Sequence, residues 1–403
     1  MGGAGLMPAG VRPTLWEVVE ELAGFERRAG SEGEHRAAEW IARRLRSAGC
    51  EASVEDAHFH AGYAGLMRGA CLAACAAGAT ALAAPGLVRP AAATAALGGL
   101  AIADDISNGT RVMRRVIQRR EPTWNVVARA GDVDAPRTLV LLAHHDAAPT
   151  GLVFDPRVQA WLGDHFPGLI ERTDTAFPIW WPTLAAHALI AAGAARGRRA
   201  LTAVGLAGAA LSAAAFHDIA RSPIVPGAND NLSGVAVLVA LAERLREAPL
   251  DGLAVWLVSC GAEEVLQGGI HSFAREHFGS LDRERTWFLN LEAVGSPRLI
   301  LLEGEGPVVM EDYHDRGFRD LVDRCARDAG ASLQRGLRAR SSTDAVVPSR
   351  AGYPTATLCS MNRYKALAHY HQMSDTPANL DYGTVSDAVT VAEAVARALA
   401  LAD

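Results

Sequence analysis

Strand-length and helix-length segments alternate along the second half of the chain, and this alternation constrains the fold more than any other feature. From Gly227 onward, short apolar runs such as LAVWLVSCG and TWFLNLEAVG, typical of buried strands, alternate with amphipathic segments of helical length. Strands that alternate with helices build a parallel or mixed sheet with helices on both faces. The sequence therefore predicts an α/β fold, mostly parallel, in which ligands bind at the carboxyl ends of the strands.

The same pattern is present earlier in the chain, in two separate pieces. Residues 14–48 predict two helices, and a strand CEASVED follows them. Residues 121–148 contain the β-rich runs WNVVARAG and RTLVLLAHHD, the second of which is apolar enough for a central strand. We therefore expect one α/β domain assembled from residues 14–60, 121–148 and 224–403.

Two apolar stretches, residues 61–120 and 149–223, interrupt this domain. Each contains two uncharged runs separated by arginine, a pattern that predicts two inserted helical hairpins. The uncharged runs are residues 69–88, 90–103, 175–195 and 200–216. A membrane span needs about 20 apolar residues, and the second and fourth runs are shorter than that.

Two interpretations of the hairpins stay open. They are either embedded in a membrane, where small residues allow close helix approach, or they form a soluble subdomain or a homo-oligomer interface. Arginines lie at the hairpin tips and also beside the α/β domain, so their distribution predicts no orientation. The amino terminus lacks a charged segment followed by an apolar core, so we expect no signal peptide. Without membrane association, the expected location is cytoplasmic.

Charge and cysteine content exclude some classes of function. A net charge of -6 argues against a general nucleic-acid binder. The 6 cysteines form neither paired CxxC motifs nor a dense disulfide pattern, so we expect them to be reduced.

The first strand-end motif is His-His-Asp, residues 144–146, which follows an apolar run. An imidazole at this place can face a ligand site, and Asp146 can hold the other ring nitrogen of His144. A structural histidine is the alternative. Asp230, in the sequence PGANDNLSG, lies before an apolar helix, where backbone donors favour an anion; an ordinary helix cap is the alternative.

Three more motifs carry carboxylates and a histidine. Glu263 and Glu264 follow the strand LAVWLVSCG, and two adjacent buried carboxylates need a cation or a raised pKa. If Glu264 binds a metal, Glu263 stays free to accept a proton. Glu292 ends an apolar strand, and His371 lies in the loop YHQMSDTP, with His369 as its competitor.

Taken in order, the five motifs resemble those of the dinuclear zinc aminopeptidase family typified by bacterial secreted leucyl aminopeptidases. This family also includes glutamate carboxypeptidases and, more distantly, glutaminyl cyclases. The resemblance covers roughly residues 14–60, 121–148 and 224–400 and leaves out both hairpins. It implies two zinc ions, with Glu263 as general base and Asp146 as the carboxylate that supports a ligand. The implied metal ligands are His144, Asp230, Glu264, Glu292 and His371.

The chain departs from the common pattern of this family at two positions. The ligand on the NLxxxG strand is usually aspartate, whereas Glu292 is similar to the choice of a membrane-bound eukaryotic branch. The histidine that often follows the aspartate near Asp344 is absent, so Asp344 stays unassigned. The resemblance also implies a non-proline cis peptide between Asp230 and Asn231.

The predicted function is therefore hydrolysis of peptide bonds, with removal of amino-terminal residues as the main hypothesis. A carboxypeptidase or amidohydrolase on the same metal core, and a non-catalytic membrane receptor or scaffold, are the alternatives. Glutaminyl cyclisation is disfavoured because it does not need a complete two-ion ligand set. Imidazole and carboxylate ligands also accept manganese or cobalt, and no motif predicts the side-chain preference.

Overall fold

A computed structural model describes residues 11–176 and 178–401 of the protein. Within these residues, nine strands form one mixed sheet, which confirms the predicted α/β fold. The strands are β1 (Glu51–His60), β2 (Arg120–Gly131), β3 (Thr138–His144), β4 (Ala254–Cys260), β5 (Thr286–Glu292), β6 (Arg298–Glu305), β7 (Glu311–Asp312), β8 (Gln334–Ala339) and β9 (Thr355–Met361). The expectation of no signal peptide falls largely on residues 1–10, which lie outside the described residues.

Four parallel strands form the centre of the sheet, in the order β4, β3, β5 and β9. Their register brings the carboxyl ends side by side, with His144 opposite Cys260 and Glu292 opposite Cys359. On one side β2 and β1 continue the sheet antiparallel, and on the other side β6 pairs antiparallel with β9 and with β7 and parallel with β8. The apolar residues of the central strands are buried because helices cover both faces.

The α-helices of the described residues are given in chain order: α1 (Val11–Ala23), α2 (Glu32–Ser47), α3 (Tyr63–Ala83), α4 (Val88–Ile106), α5 (Val112–Ile117), α6 (Arg157–His165), α7 (Pro167–Glu171), α8 (Trp181–Ala195), α9 (Arg199–Arg221), α10 (Ser233–Glu247), α11 (Gly268–His277), α12 (Arg316–Asp328), α13 (Val346–Arg350) and α14 (Tyr382–Leu401). Helices α1, α2, α10, α12 and α14 pack on one face of the sheet, and α11 and α13 pack on the other. Helix α10 is apolar almost all round because it is buried between the sheet and other helices.

Helices α3, α4, α8 and α9 pack together as a bundle beside the sheet. Along the chain, α3 and α4 come between β1 and β2, and α8 and α9 come between β3 and α10. The turn of the first hairpin lies at Pro85–Leu87. Arg89, the arginine that separates the two uncharged runs, follows directly in the first turn of α4, and so does Pro90, whose missing backbone donor is tolerated there.

Three of the described helical segments are long and apolar enough to cross a membrane: Tyr63–Ala83, Pro85–Ile106 and Arg199–Arg221. The second and fourth uncharged runs were predicted to be too short for a span, but the helices that contain them, α4 and α9, are longer than the runs because they also include charged residues at their ends. The third run is shorter than predicted, since α8 has 15 residues and begins only at Trp181. Phe177, within that run, lies outside the described residues.

Candidate metal centre

All seven residues that the sequence singled out lie at the carboxyl edge of the central strands. His144 and Glu292 end β3 and β5, and Glu263 and Glu264 occupy the turn after β4. Asp230 lies in the loop before α10, and His371 and Asp146 lie in loops after β9 and β3. The side chains of these residues are buried, except that Glu264 is partly exposed. The parallel strands bring these distant positions together, as expected for this type of sheet.

Within the described parts of the chain, the candidate ligand atoms form two groups that share Asp230. In the first, His144 Nε2 lies 3.3 Å from Asp230 Oδ1 and 3.6 Å from Glu292 Oε1. In the second, His371 Nε2 lies 3.5 Å from Asp230 Oδ2 and 3.2 Å from Glu264 Oε2. The two oxygens of Asp230 thus face different groups, as a bridging carboxylate requires.

One candidate ligand atom is buried without a hydrogen-bond partner. His144 Nε2 has none among the described residues, and it faces the carboxylates of Asp230 and Glu292. Burial lowers the pKa of His371, but Glu264 and Asp230 outweigh burial and raise that pKa to about 10. The cluster therefore attracts positive charge, and its oxygen and imidazole donors are those that zinc prefers.

Asp146 holds two parts of the site at once. Its Oδ1 lies 3.4 Å from His144 Nδ1, as predicted for a carboxylate that orients the ring. It also accepts hydrogen bonds of 3.0 Å from each of the backbone N–H groups of Glu263 and Glu264. Asp146 therefore sets the position of the acidic turn as well as that of the histidine.

Glu263 stands beside the first group without belonging to either. Its Oε2 lies 3.9 Å from His144 Nε2. Burial raises the pKa of Glu263 well above its ordinary value, whereas the nearby His144 lowers it. A carboxylate next to the ligands, with a raised proton affinity, is suited to accept a proton from a water molecule.

The loop that contains Asp230 is held by hydrogen bonds to residues for which the sequence motifs predicted no role. Asp375 accepts hydrogen bonds from the backbone N–H groups of Asn229, at 2.7 Å, and Asp230, at 3.2 Å. The peptide bond between Asp230 and Asn231 is cis, which confirms the expectation from the resemblance. Asn231 donates to the carbonyl of Leu291, at 2.8 Å, and so connects this loop to the end of β5.

Two charged residues from the amino-terminal part of the chain, Arg27 in the loop after α1 and Glu34 in α2, also support the site, and no local sequence signal could have identified them. Arg27 is fully buried and donates to the backbone carbonyls of His145, at 2.9 Å, and Pro226, at 2.8 Å. Glu34 accepts from the backbone N–H of Ala262, at 2.7 Å, next to the acidic turn. Burial raises the pKa of Glu34 to about 8. Both act through tertiary contacts more than 100 residues away in sequence.

The competing candidates lie outside the two ligand groups of the described residues. His369 places Nδ1 2.8 Å from Ser374 Oγ, and His145 places Nδ1 2.9 Å from Ser259 Oγ. Asp344 is buried, and neither of its carboxylate oxygens has a hydrogen-bond partner among the described residues. Burial raises the pKa of Asp344 to about 8, although His144 lowers it.

Comparisons with known proteins agree with this geometry. Residues 211–396 match Peptidase family M28. No curated protein matches the chain significantly by sequence. Among solved structures, the fold is similar to that of an aminopeptidase from Aneurinibacillus sp. strain AM-1, with a TM-score of 0.55, 14% identity, and coverage of 95% of this chain and 92% of that chain.

Two further solved structures have the same fold. One is BSAP, a zinc aminopeptidase from Bacillus subtilis, with a TM-score of 0.55, 13% identity, and coverage of 97% of this chain and 95% of that chain. The other is a glutaminyl cyclase from Fimbriiglobus ruber, with a TM-score of 0.55, 14% identity, and coverage of 98% of this chain and 99% of that chain. Over residues 211–396 the chain is thus similar to peptidase family M28, and over nearly its whole length it has the fold of these zinc aminopeptidases and of this glutaminyl cyclase, which confirms the resemblance seen in its motifs.

Proposed function

We propose that this M28 zinc hydrolase is an aminopeptidase that removes amino-terminal residues from peptides with two zinc ions. The observation that carries the proposal is the pair of buried ligand groups joined by Asp230, with Glu263 beside them. His144, Glu292 and Asp230 would hold one ion, and His371, Glu264 and Asp230 the other. Manganese or cobalt could occupy the same donors.

Bound zinc ions would supply Lewis acids that acidify a water molecule and polarise the scissile carbonyl. Glu263 accepts the proton of the attacking water and delivers it to the leaving amine. Asp146 keeps the Glu263 turn and the His144 ring in a fixed relation, since it contacts both. The site is pre-organised because its supporting hydrogen bonds come from several different elements.

Glutaminyl cyclisation is the second candidate, because glutaminyl cyclases share the fold. The two-group ligand arrangement favours hydrolysis, since cyclisation needs no second ion. A panel of peptides separates the reactions: free and amino-blocked peptides, carboxyl-blocked peptides, and a peptide that begins with glutamine. An aminopeptidase cleaves peptides with a free amino terminus but not amino-blocked peptides. A carboxypeptidase cleaves amino-blocked peptides but not carboxyl-blocked peptides, and a glutaminyl cyclase releases ammonia from the peptide that begins with glutamine without cleaving a peptide bond.

Glu263→Gln tests the general base. We expect the variant to retain its metal content and to lose roughly 10²- to 10⁴-fold in kcat, the usual contribution of a positioned general base. Glu276→Gln, the same change on the exposed side of α11, is the matched control and should behave as the wild type. Unchanged hydrolysis by the Glu263 variant would overturn the assignment.

We further propose that residues 61–120 and 149–223 are insertions into the peptidase domain that anchor it in a membrane. The outward side chains of the bundle are apolar, for example Leu97 at 66% and Leu211 at 74% exposure. Arginines cluster at the tips, where Arg199 donates to the Leu82 carbonyl, and Arg68 lies near His217 at the opposite end. The uncharged band between them spans roughly 20 to 30 Å at about 1.5 Å per helical residue, close to a bilayer core.

Extraction of the membrane fraction tests this anchoring. The full chain should require detergent for release, whereas a chain lacking both hairpins should not enter the membrane fraction. A soluble, monomeric full-length protein would exclude the proposal. A soluble dimer that depends on the hairpins would instead support their alternative role as a homo-oligomer interface.

A further inference from the structure

A glutamine outside the ligand groups holds the carboxylate of Glu263. Gln267 is 2% exposed and lies in the turn between β4 and α11. Its side-chain Nε2 donates to Glu263 Oε1, at 2.8 Å, and to the backbone carbonyl of Ser342, at 2.7 Å. Because both amide hydrogens are used, one oxygen of Glu263 is fixed, and Oε2 is the oxygen that faces His144.

The orientation of Gln267 is set by the first inserted hairpin. Asn108 follows α4 and donates from Nδ2 to Gln267 Oε1, at 2.7 Å, and to Ser342 Oγ, at 2.8 Å. Asn108 is buried, and its Oδ1 accepts from Arg111 Nη2 and lies 3.0 Å from His271 Nε2. Arg111 Nη2 also donates to the carbonyl of Leu266, at 2.6 Å.

These hydrogen bonds have a direction that chemistry imposes. A guanidinium can only donate, so Arg111 requires the oxygen of Asn108 to face it. The amide nitrogen of Asn108 must then face Gln267 Oε1, which leaves the amide nitrogen of Gln267 for Glu263. Each amide has only one orientation that satisfies its neighbours, and a buried unsatisfied donor or acceptor costs about 1–3 kcal/mol.

We propose that Gln267 is a positioning residue for Glu263 and that Asn108 and Arg111, at the base of the inserted hairpin, fix its orientation. The inference rests on the general-base role proposed above for Glu263. Its consequence is that the hairpin, which lies outside the α/β domain, contributes to proton transfer. Removing the chain of donors leaves Glu263 free to rotate away from the ligand groups, so the chemical step is slowed more than substrate binding.

Two substitutions test the chain of donors. Gln267→Leu removes the donor to Glu263 at similar side-chain size. Asn108→Asp keeps an acceptor for Arg111 but removes the donor to Gln267, so the glutamine amide can turn its oxygen toward Glu263. We expect each variant to lose roughly 10- to 100-fold in kcat, less than the loss of the general base itself, with KM within about threefold of the wild type. Gln334→Leu, at an exposed position of β8, is the matched control.

The double variant distinguishes positioning from a general structural role. Once position 267 lacks an amide, Asn108 has no group to orient. The kcat of the double variant, Gln267→Leu with Asn108→Asp, should therefore equal that of Gln267→Leu alone. Multiplied losses, or losses accompanied by an equal fall in metal content or melting temperature, would overturn the inference, as would an unchanged kcat in Gln267→Leu. If Glu263→Gln is inactive while Gln267→Leu has normal kcat, only this inference fails. If Glu263→Gln is fully active, the general-base proposal fails and the inference falls with it.

Discussion

The carboxyl edge of the sheet and the four-helix bundle are built on opposite principles. At the sheet edge, charged and polar side chains are buried at high density, and partners from distant elements such as Arg27 and Asp375 hold the loops. In the bundle, the interior and the outward faces are both apolar, and small residues such as Gly205 allow close helix packing. The stability of the sheet edge depends on the pairing of its buried charges. The stability of the bundle depends on close packing between its helices and on the medium that its outward faces contact.

The two regions meet at a buried ion pair. Arg114 in α5 donates two hydrogen bonds, at 2.8 Å each, to the carboxylate of Asp105 at the end of α4. It also donates to the carbonyl of His60, at 2.8 Å, where β1 ends. The pair therefore joins the bundle to the sheet through groups that are almost completely removed from water.

Metal removal should have the largest effect on activity and stability, and this effect should be confined to the α/β domain that carries the ligand groups. A chelator leaves the clustered carboxylates without compensating cations, so hydrolysis should become undetectable. Stability should fall by about 4 kcal/mol if the metal was present at about a thousand times its dissociation constant. Scanning calorimetry should show an earlier transition of the α/β domain, while circular dichroism retains the helical signal of the bundle. An unchanged transition would contradict the predicted dependence on metal.

Arg114→Met should have the next largest effect, at the junction. It leaves the Asp105 carboxylate buried without its partner, a change that typically costs about 3–5 kcal/mol. Unfolding of the purified protein measures the loss. Arg115→Met removes the neighbouring exposed arginine and should change stability little. Equal losses in the two variants would mean that the buried pair has no special role.

Leu211→Asp tests the surroundings of the bundle directly. The leucine is 74% exposed near the middle of α9. In a bilayer the new charge costs about 2.5–3.5 kcal/mol and should lower the recovery of the protein in the membrane fraction. Val309→Asp, at a position 67% exposed in the α/β domain, should have little effect. If both variants are recovered normally in the membrane fraction, the outward face of the bundle does not contact lipid.

Gly205→Ala should have the smallest effect and act on the interior of the bundle. An added Cβ would approach the backbone nitrogen of Ile190 to 2.7 Å, so α8 and α9 would have to separate. We expect a loss of about 1–3 kcal/mol in unfolding experiments in detergent. Gly69→Ala, where the added Cβ meets no described atom within 4 Å, should be neutral or slightly stabilising. The opposite ranking would argue against close packing of these helices.

The sequence predicted the α/β fold and the residues of the site because both depend on local signals. Apolar runs specify the central strands, and His144, Glu264 and Glu292 stand at or just after their ends. The short strands β7 and β8 and the short helix α13 were missed, since they contain too few residues to form a recognisable pattern. The roles of Arg27 and Glu34 were also inaccessible, because each depends on contacts with residues far away in sequence. Gln267 lies only four residues from Glu263, but its orientation depends on the distant Asn108. The ligand roles themselves stay predictions.

If the hairpins anchor the protein in a membrane as proposed, their two-helix form has a consequence for how the protein is made. A chain that crosses a bilayer twice returns to the compartment from which it started, so each hairpin would bring the growing polypeptide back to its original side. The strands before, between and after the hairpins could then pair in a single compartment, although β1 is synthesised long before β5 or β9. Because β3 already carries His144 when the second hairpin is still to be synthesised, the site would be completed only after both hairpins had been inserted and the rest of the sheet had followed.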